Sequence, residues 1–437
     1  MGGVAAVHTE VIQDPSDGFT RYPWSDTTDY DVCVSFEPWP GGGIRGHMYG
    51  PAVRQLGVGE IKAILRVSPG RVRVKAGSLV DAWKAFVSDQ PVVDGRPRGG
   101  RRTPYATNID LTAEPAEELL GRIRELARLG WNVLFGTLLA GEEASVGFFR
   151  ENLTGMLARE GLRIRFDSSA LFLPWPMLCL RADDLPPSEL PRTTLPGIFE
   201  RFLGYRHRIE HTGDIYPAVP GRPNGDVREP VVSLNHDTGV GREIDAVGRV
   251  MAALRAQPRF TERTTHGDLI RDLDEAVFDE DLMYFWCHGG YERNGSGTPR
   301  FVIRLSDGRD FEVEDFTSVR NQQVKGGSFE PFVLLNACRS LDAEADADGA
   351  VLGHAMIEHG ARGVLGSHID MPRVFAAEFA LEFVTRYLRG DVFDTAGRII
   401  HGVAREFAER YHNPLGFAYG LHSGMEARIR RPCEDPG

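Results

Sequence analysis

Residues 282–290 read LMYFWCHGG and residues 332–340 read FVLLNACRS. Each is an apolar run of strand length that ends in a reactive side chain, His288 in the first and Cys338 in the second. A strand with no polar alternation is buried on both faces, which happens when helices cover both sides of a parallel sheet. The surrounding segments repeat the pattern. PVVSLN (230–235) and RGVLGS (362–367) are further buried-type strands, and FVIRL (301–305) is a weaker one. Between them, helical spacing is read from Arg242 onward and over 266–278, 349–359, 373–388 and 393–411, with LGFAYGL (415–421) as a closing strand. Strands alternating with helices predict a three-layer α/β sandwich with a mostly parallel sheet.

In such sheets ligands bind beyond the carboxyl ends of the strands. His288 and Cys338 both fall there, so the pattern offers a nucleophile–base pair. Imidazole near sulfur favours thiolate, the attacking species. Gly289 and Gly290 leave room for substrate, and the amides of Gly289 and Cys338 are candidate donors to a tetrahedral oxyanion. The competing reading makes Cys338 a core thiol and His288 a hydrogen-bonded strand end.

Upstream, DVCVSFEPW, GEIKAILRV and GRVRVKAG between residues 30 and 93 read as short strands. Residues 114–129 form an amphipathic helix through Leu119, Leu120, Ile123, Leu126 and Leu129, with a pattern that continues past Gly130. A helix over 146–159 and a strand at 162–166 follow, and LFLPWPMLCL (171–180) is a buried turn. The histidines of HRIEH, His207 and His211, lack the HExxH order of a zinc site and read as part of a surface helix. Gly239-Val240-Gly241 lacks a full phosphate-loop pattern and reads as a turn. Residues 1–29 read as a loose arm, 94–104 as an exposed arginine-rich loop, and 213–229, rich in Pro and Gly, as the linker between residues 30–212 and 230–437.

Composition narrows the function classes. Acids outnumber bases 62 to 50 in 437 residues, a net charge of -12, which argues against a nucleic-acid binder. The five cysteines are scattered and form no CxxC pair, so neither a disulfide framework nor a structural zinc site is expected. No secretory signal or membrane-length apolar run is present, and a cytoplasmic protein is expected.

The run Asn336-Ala337-Cys338-Arg339-Ser340, with His288 located 50 residues earlier, is similar to the caspase signature Q-A-C-[RQG]-G and its upstream histidine. Residues 114–437 resemble the CHAT family of caspase-like cysteine peptidases. The likeness includes LFLPWPMLCL, FVLLNACRS, AMIEHGARGVLGSHIDM and the closing NPLGFAYGLHSG. Pro176 stands where the family usually has Glu, and 415–417 replaces its usual Trp segment. The resemblance implies His288 as the catalytic histidine and Cys338 as the nucleophile, with no cofactor and no metal. It implies a pocket walled by Asn336, by Ser367, His368 and Asp370, and by Asn235 and His236. Residues 30–212 are then either a β-rich accessory region or a catalytically silent caspase-like half. The implied function is a cysteine endopeptidase of bacterial defence or regulated proteolysis. Its substrate would be a protein partner such as a gasdermin-like pore-former, with a sensor protein as activator. The alternative is a silent adaptor on the same fold.

After the nucleophile come Asp342, Glu344, Asp346 and Asp348. Three readings remain for this acidic loop: a cap for the next helix, a pocket favouring Lys or Arg at P1, or a calcium loop. The last has Ala355 where an EF-hand needs Glu. The sequence thus predicts a basic or small apolar P1 residue.

Overall fold

The structure is a computed structural model. It describes residues 30–431 except 55, 58, 89–91, 94–95, 98–104, 106–107, 169–170, 188–192, 214–227, 276, 294–298, 323–327, 339, 341–351 and 392. The expected arm (1–29), most of the linker and the arginine-rich loop, the acidic loop and Cys433 lie outside the described residues.

One sheet of eleven strands runs through the molecule. In chain order the strands are β1 (Val32–Pro38), β2 (Ile44–Tyr49), β3 (Glu60–Leu65), β4 (Arg163–Asp167), β5 (Arg208–His211), β6 (Val231–His236), β7 (Arg259–Arg263), β8 (Leu282–Trp286), β9 (Phe332–Asn336), β10 (Gly363–Ser367) and β11 (Tyr419–His422). Their spatial order is β3-β2-β1-β4-β5-β11-β10-β9-β8-β6-β7. From β10 to β7 every pairing is parallel, and so is every pairing from β1 to β11. The β10–β11 pair is antiparallel, so the two runs point in opposite directions and meet there. An antiparallel meander, β1-β2-β3, ends one edge.

The unbroken apolar strands are buried on both faces, as their sequences require. Leu282, Tyr284, Trp286, Phe332 and Leu334 join the core that includes helices α4 (Asp245–Arg255), α7 (Arg373–Arg389) and α8 (Ala396–Tyr411). Met283, Phe285, Cys287, Val333 and Leu335 join a second core with α5 (His266–Leu273) and α6 (Leu352–Glu358). This is the two-residue alternation of a strand between two helical layers. Burying one such Leu or Phe is worth about 1.5–3 kcal/mol, so these strand faces dominate the stability of the central sheet.

In the N-terminal part, α1 (Pro69–Ser88), α2 (Ala116–Val133) and α3 (Ala144–Leu157) cover strands β1–β5. GRVRVKAG is therefore helix and not strand. Its short Arg/Val alternation misleads, whereas Val72, Ala76, Leu79, Val80, Trp83 and Val87 are buried at helical spacing. HRIEH is also different from the expected surface helix. Residues 208–211 are the central strand β5, paired to β4 and β11, and His207 and His211 are 1% and 5% exposed. The closing segment opens as a 3-10 turn (Pro414–Ala418) and becomes strand only at Tyr419. Among the described residues no helix is long and apolar enough to cross a membrane.

Candidate active site

Strands β8 and β9 lie side by side in register, with Trp286 opposite Asn336. His288 and Cys338 each follow two residues later, so the sheet carries both to one edge. There they line a single cleft of about 50 Å³ together with Val240, Trp286, Asn336, Ala337, Met371, Arg373 and Ala376.

Gly289 fixes how closely the two strand ends approach. A Cβ on it would stand 2.8 Å from the Ala337 Cβ, 2.8 Å from the Cys338 carbonyl oxygen and 3.1 Å from the Cys338 nitrogen. Only a hydrogen fits there. The sequence reading gave Gly289 and Gly290 to the substrate. Instead Gly289 makes space for the backbone of the Cys338 turn, and Gly290 alone faces open space.

The turn itself is held from beneath by Ser340, which is fully buried. Its Oγ donates to the Leu335 carbonyl (3.0 Å) and accepts from the Ser367 N–H (3.0 Å). The Ser that departs from the caspase signature thus ties the ends of β9 and β10 together.

Cys338 is partly buried, while Cys33, Cys179 and Cys287 are buried. Burial pushes the Cys338 thiol above its usual range, and the Asp370 carboxylate adds to this. The Met371 N–H and the Arg373 charge pull the other way without prevailing. The resting sulfur is therefore a thiol, and the thiolate expected from a nearby imidazole is not favoured in this arrangement. His288 is 67% exposed in its side chain, and its Nε2 lies 3.9 Å from Asp237 Oδ2. Asp237 follows β6 directly. Its Oδ1 accepts from the Gly239 N–H (2.7 Å), which pins the carboxylate with Oδ2 toward His288. Sequence reasoning passed over Asp237, although its place one residue beyond the end of a central strand was a usable signal.

The proposed pocket walls separate into two groups. Asn336 lines the cleft, but its polar groups are committed: Oδ1 accepts from Tyr419 Oη (2.8 Å) and Nδ2 donates to the Ala376 carbonyl (2.9 Å). Asp370 is exposed and close enough for its charge to reach Cys338. The others lie elsewhere. Asn235 is fully buried, with Oδ1 accepting from Arg263 (3.1 Å). His236 meets Glu262 at 2.9 Å. Ser367 is buried under the Cys338 turn, where its Oγ donates to the Ile369 carbonyl (3.0 Å). His368 belongs to a buried aromatic cluster in which Phe172 touches His211, His354, His368 and His422 at ring distances of 4.5–6.3 Å. These four positions carry strand-end polarity inward to structural partners. The wall residues that sequence reasoning missed are Val240, Trp286 and Met371. Trp286 Nε1 donates to the Val240 carbonyl (3.0 Å), and Gly241, at φ +66°, lets the turn fold against the indole. The turn reading of 239–241 agrees with this. Among the described residues no group of three or more His, Cys, Asp or Glu side chains is placed to hold a metal ion.

Comparison with known proteins finds the following similarities. The model of the CHAT domain matches residues 201–401. A probable protease of Vitiosangium sp. (strain GDMCC 1.1324) is 25% identical over 152 residues, covering 33% of this chain and 19% of that protein. Similar solved structures include the Saccharomyces cerevisiae separase–securin complex, with TM-score 0.46, 11% identity, and 92% of this chain and 30% of that chain covered. They also include the Arg-specific cysteine proteinase gingipain R, with TM-score 0.40, 10% identity, and 72% of this chain and 76% of that chain covered. The chain thus spans about a fifth of the curated relative and under a third of the yeast chain. Residues 201–401, the part of the chain similar to the CHAT domain, hold β6 through α7 and both His288 and Cys338.

Proposed function

We propose that the chain is a cysteine endopeptidase acting through Cys338 and His288, with Asp237 orienting the histidine. The observation that carries this reading is the shared cleft of His288 and Cys338, with a glycine beside the histidine where a side chain would collide with Ala337 and the Cys338 backbone. The CHAT match and the relative named a probable protease support it.

Because the resting sulfur is a thiol, proton transfer accompanies attack. The Cys338 Sγ–H proton passes to His288 as the C–S bond forms. The oxyanion is met by the amides of Gly289 and Cys338. His288 then protonates the leaving amine as the C–N bond breaks, and afterwards takes a proton from the water that hydrolyses the acyl-enzyme. The wider role proposed from the family resemblance is cytoplasmic, in bacterial defence or regulated proteolysis. A gasdermin-like pore-former would be the substrate and a sensor protein the activator.

The raised Cys338 thiol favours one competing reading, a silent adaptor. Iodoacetamide labelling separates the two. Cys338 should label fastest among Cys33, Cys179, Cys287 and Cys338 on exposure alone, since burial pushes Cys33 up to about 11 and shields the other two. The informative measurement is the variant His288→Ala. Peptidase chemistry predicts a Cys338 labelling rate at least about tenfold lower, the scale of general-base assistance. An unchanged rate means that His288 does not act on the sulfur.

A second prediction concerns the glycine pair. Gly289→Ala should lower kcat/KM about 100-fold, because displacing a reacting group by roughly 1 Å has that cost. Gly290→Ala, with open space around it, should leave kcat/KM within about twofold. Equal effects at the two positions would show that the close approach at Gly289 has no bearing on catalysis.

A further inference from the structure

We propose that the cleft beside Cys338 is a P1 pocket for an uncharged apolar side chain of about Val to Leu size, an inference that rests on the peptidase reading. Its walls are Val240, Trp286, Ala337, Met371 and Ala376, all nearly or fully buried. The open space is about 50 Å³, where one water takes about 10–15 Å³. That admits roughly three or four side-chain heavy atoms and leaves little room for a Phe or an extended Arg.

Charge excludes the other candidates. Among the described residues no carboxylate lines the cleft. Asp370, the nearest described acid to influence Cys338, is exposed and outside the lining. A Lys or Arg side chain entering the cleft would lose its hydration with no counter-charge in the walls. Asn336, the polar residue in the lining beside the cysteine and histidine, already spends its oxygen on Tyr419 and an amide hydrogen on the Ala376 carbonyl. An acidic P1 residue would depend on Arg373, but that side chain is 45% exposed and faces Glu243 at 3.8 Å, so it stands in solvent. Of the two P1 classes left by the sequence, the apolar one fits these walls.

Val240 and Ala376 both line the cleft. Val240 is held by the Trp286 hydrogen bond to its own carbonyl, and Ala376 receives Asn336 through its backbone. A side-chain change at either position therefore alters the pocket without removing these bonds.

The test is a peptide library varied at P1, incubated with the full chain and with Cys338→Ala as the control. Cys338-dependent cleavage should favour Val, Leu or Met at P1 by at least about tenfold over Lys, Arg, Asp and Glu, the discrimination expected from desolvating a charge. Ala376→Leu should move the preference toward Ala by about tenfold, since one or two methylenes in an apolar pocket carry that much. Val240→Ala should move it toward larger residues and serves as the second variant if Ala376→Leu fails to fold. Preference for Lys or Arg overturns the pocket inference and points to the acidic loop 342–348. Preference for Asp or Glu that disappears in Arg373→Ala overturns it in favour of the arginine. In both cases the peptidase reading stands. No Cys338-dependent cleavage of any peptide overturns that reading and the pocket inference with it.

Discussion

Between pH 7.5 and pH 5.5 the protein is expected to lose about 4 kcal/mol of stability from three histidines alone. His207, His211 and His422 are 1%, 5% and 0% exposed. Burial pushes His207 and His211 down to about 3 from the usual 6.5, and pushes His422 well below it, with His354 and His211 adding to the last. Neither ring nitrogen of His422 meets a partner, so this site offers the proton no compensation. In the fold these rings stay neutral, whereas in the unfolded chain they take up protons below about 6.5. Their contribution is therefore fully present above about pH 6.5. It is lost as pH falls from there toward the folded values, at about 1.4 kcal/mol per pH unit for each ring. Three rings make about 4 kcal/mol by pH 5.5, a large share of the 5–15 kcal/mol typical of folded domains. His354 and His401, each pushed down to about 4 by burial, steepen the fall. Denaturant melts at pH 7.5, 6.5 and 5.5 measure the slope. In His422→Phe the slope should flatten by about 1.4 kcal/mol per pH unit, and reading the slope rather than the absolute stability removes any repacking cost of the phenyl ring. A pH-independent midpoint across this range would mean that the rings are hydrated or charged in the fold.

The location of this acid lability matters for function. His211 is on β5 and His422 on β11, the pair that joins the N-terminal strands to the rest of the sheet. His354 is on α6, the first described element after Cys338, and His368 follows β10. Protonation there acts on the seam between the two strand directions and on the helix behind Cys338. Activity loss in mild acid is thus expected to track unfolding of the seam.

The same cluster marks the limit of what the residues alone disclosed. Strands β6, β8, β9 and β10 were legible because a doubly covered strand suits so unbroken an apolar run, and the meeting of His288 and Cys338 at one sheet edge was legible because they end two such runs. Strand β7, RFTER, was not, since an edge strand with exposed and charged positions has no such run. HRIEH failed for a related reason. Its polar residues are buried through specific partners: His207 meets the Leu157 carbonyl at 2.9 Å, and Glu210 meets Arg165 at 2.7 Å. Spacing shows no trace of partners supplied by distant strands. The named wall residues were placed only in part. Asn336 is in the cleft, but Asn235 faces the opposite layer. Alternation places it with Ser233, while Leu234 and Val232 face the layer that also holds Trp286. Its polarity serves a buried charge network.

Arg263→Ala should expose that network, at a cost of about 3–5 kcal/mol. Arg263 is 4% exposed. Its guanidinium donates to Glu280 (2.5 Å), Asp272 (2.7 Å) and Asn235 (3.1 Å) and lies over the Phe278 ring at 5.5 Å. Burial works against its charge, but Glu280 and Asp272 outweigh this and hold it firmly protonated. Truncation leaves the Glu280 carboxylate, 6% exposed, with Ser233 as its remaining neighbour in the network. The loss comes mainly from that stranded carboxyl group, which burial pushes above its usual range even beside Arg263, so Arg263→Ala combined with Glu280→Gln should recover a good part of it. Urea melts of the single and double variants at pH 7.5 provide the comparison. A single-variant loss below about 1 kcal/mol would place the pair in solvent contact. The consequence reaches the active site through β6, whose Asn235 is anchored by Arg263 and whose end carries Asp237 and Val240. Loosening β6 should weaken both the carboxylate behind His288 and the wall of the cleft. In Arg263→Ala molecules that remain folded, kcat/KM should therefore fall while the Cys338 thiol stays available to iodoacetamide.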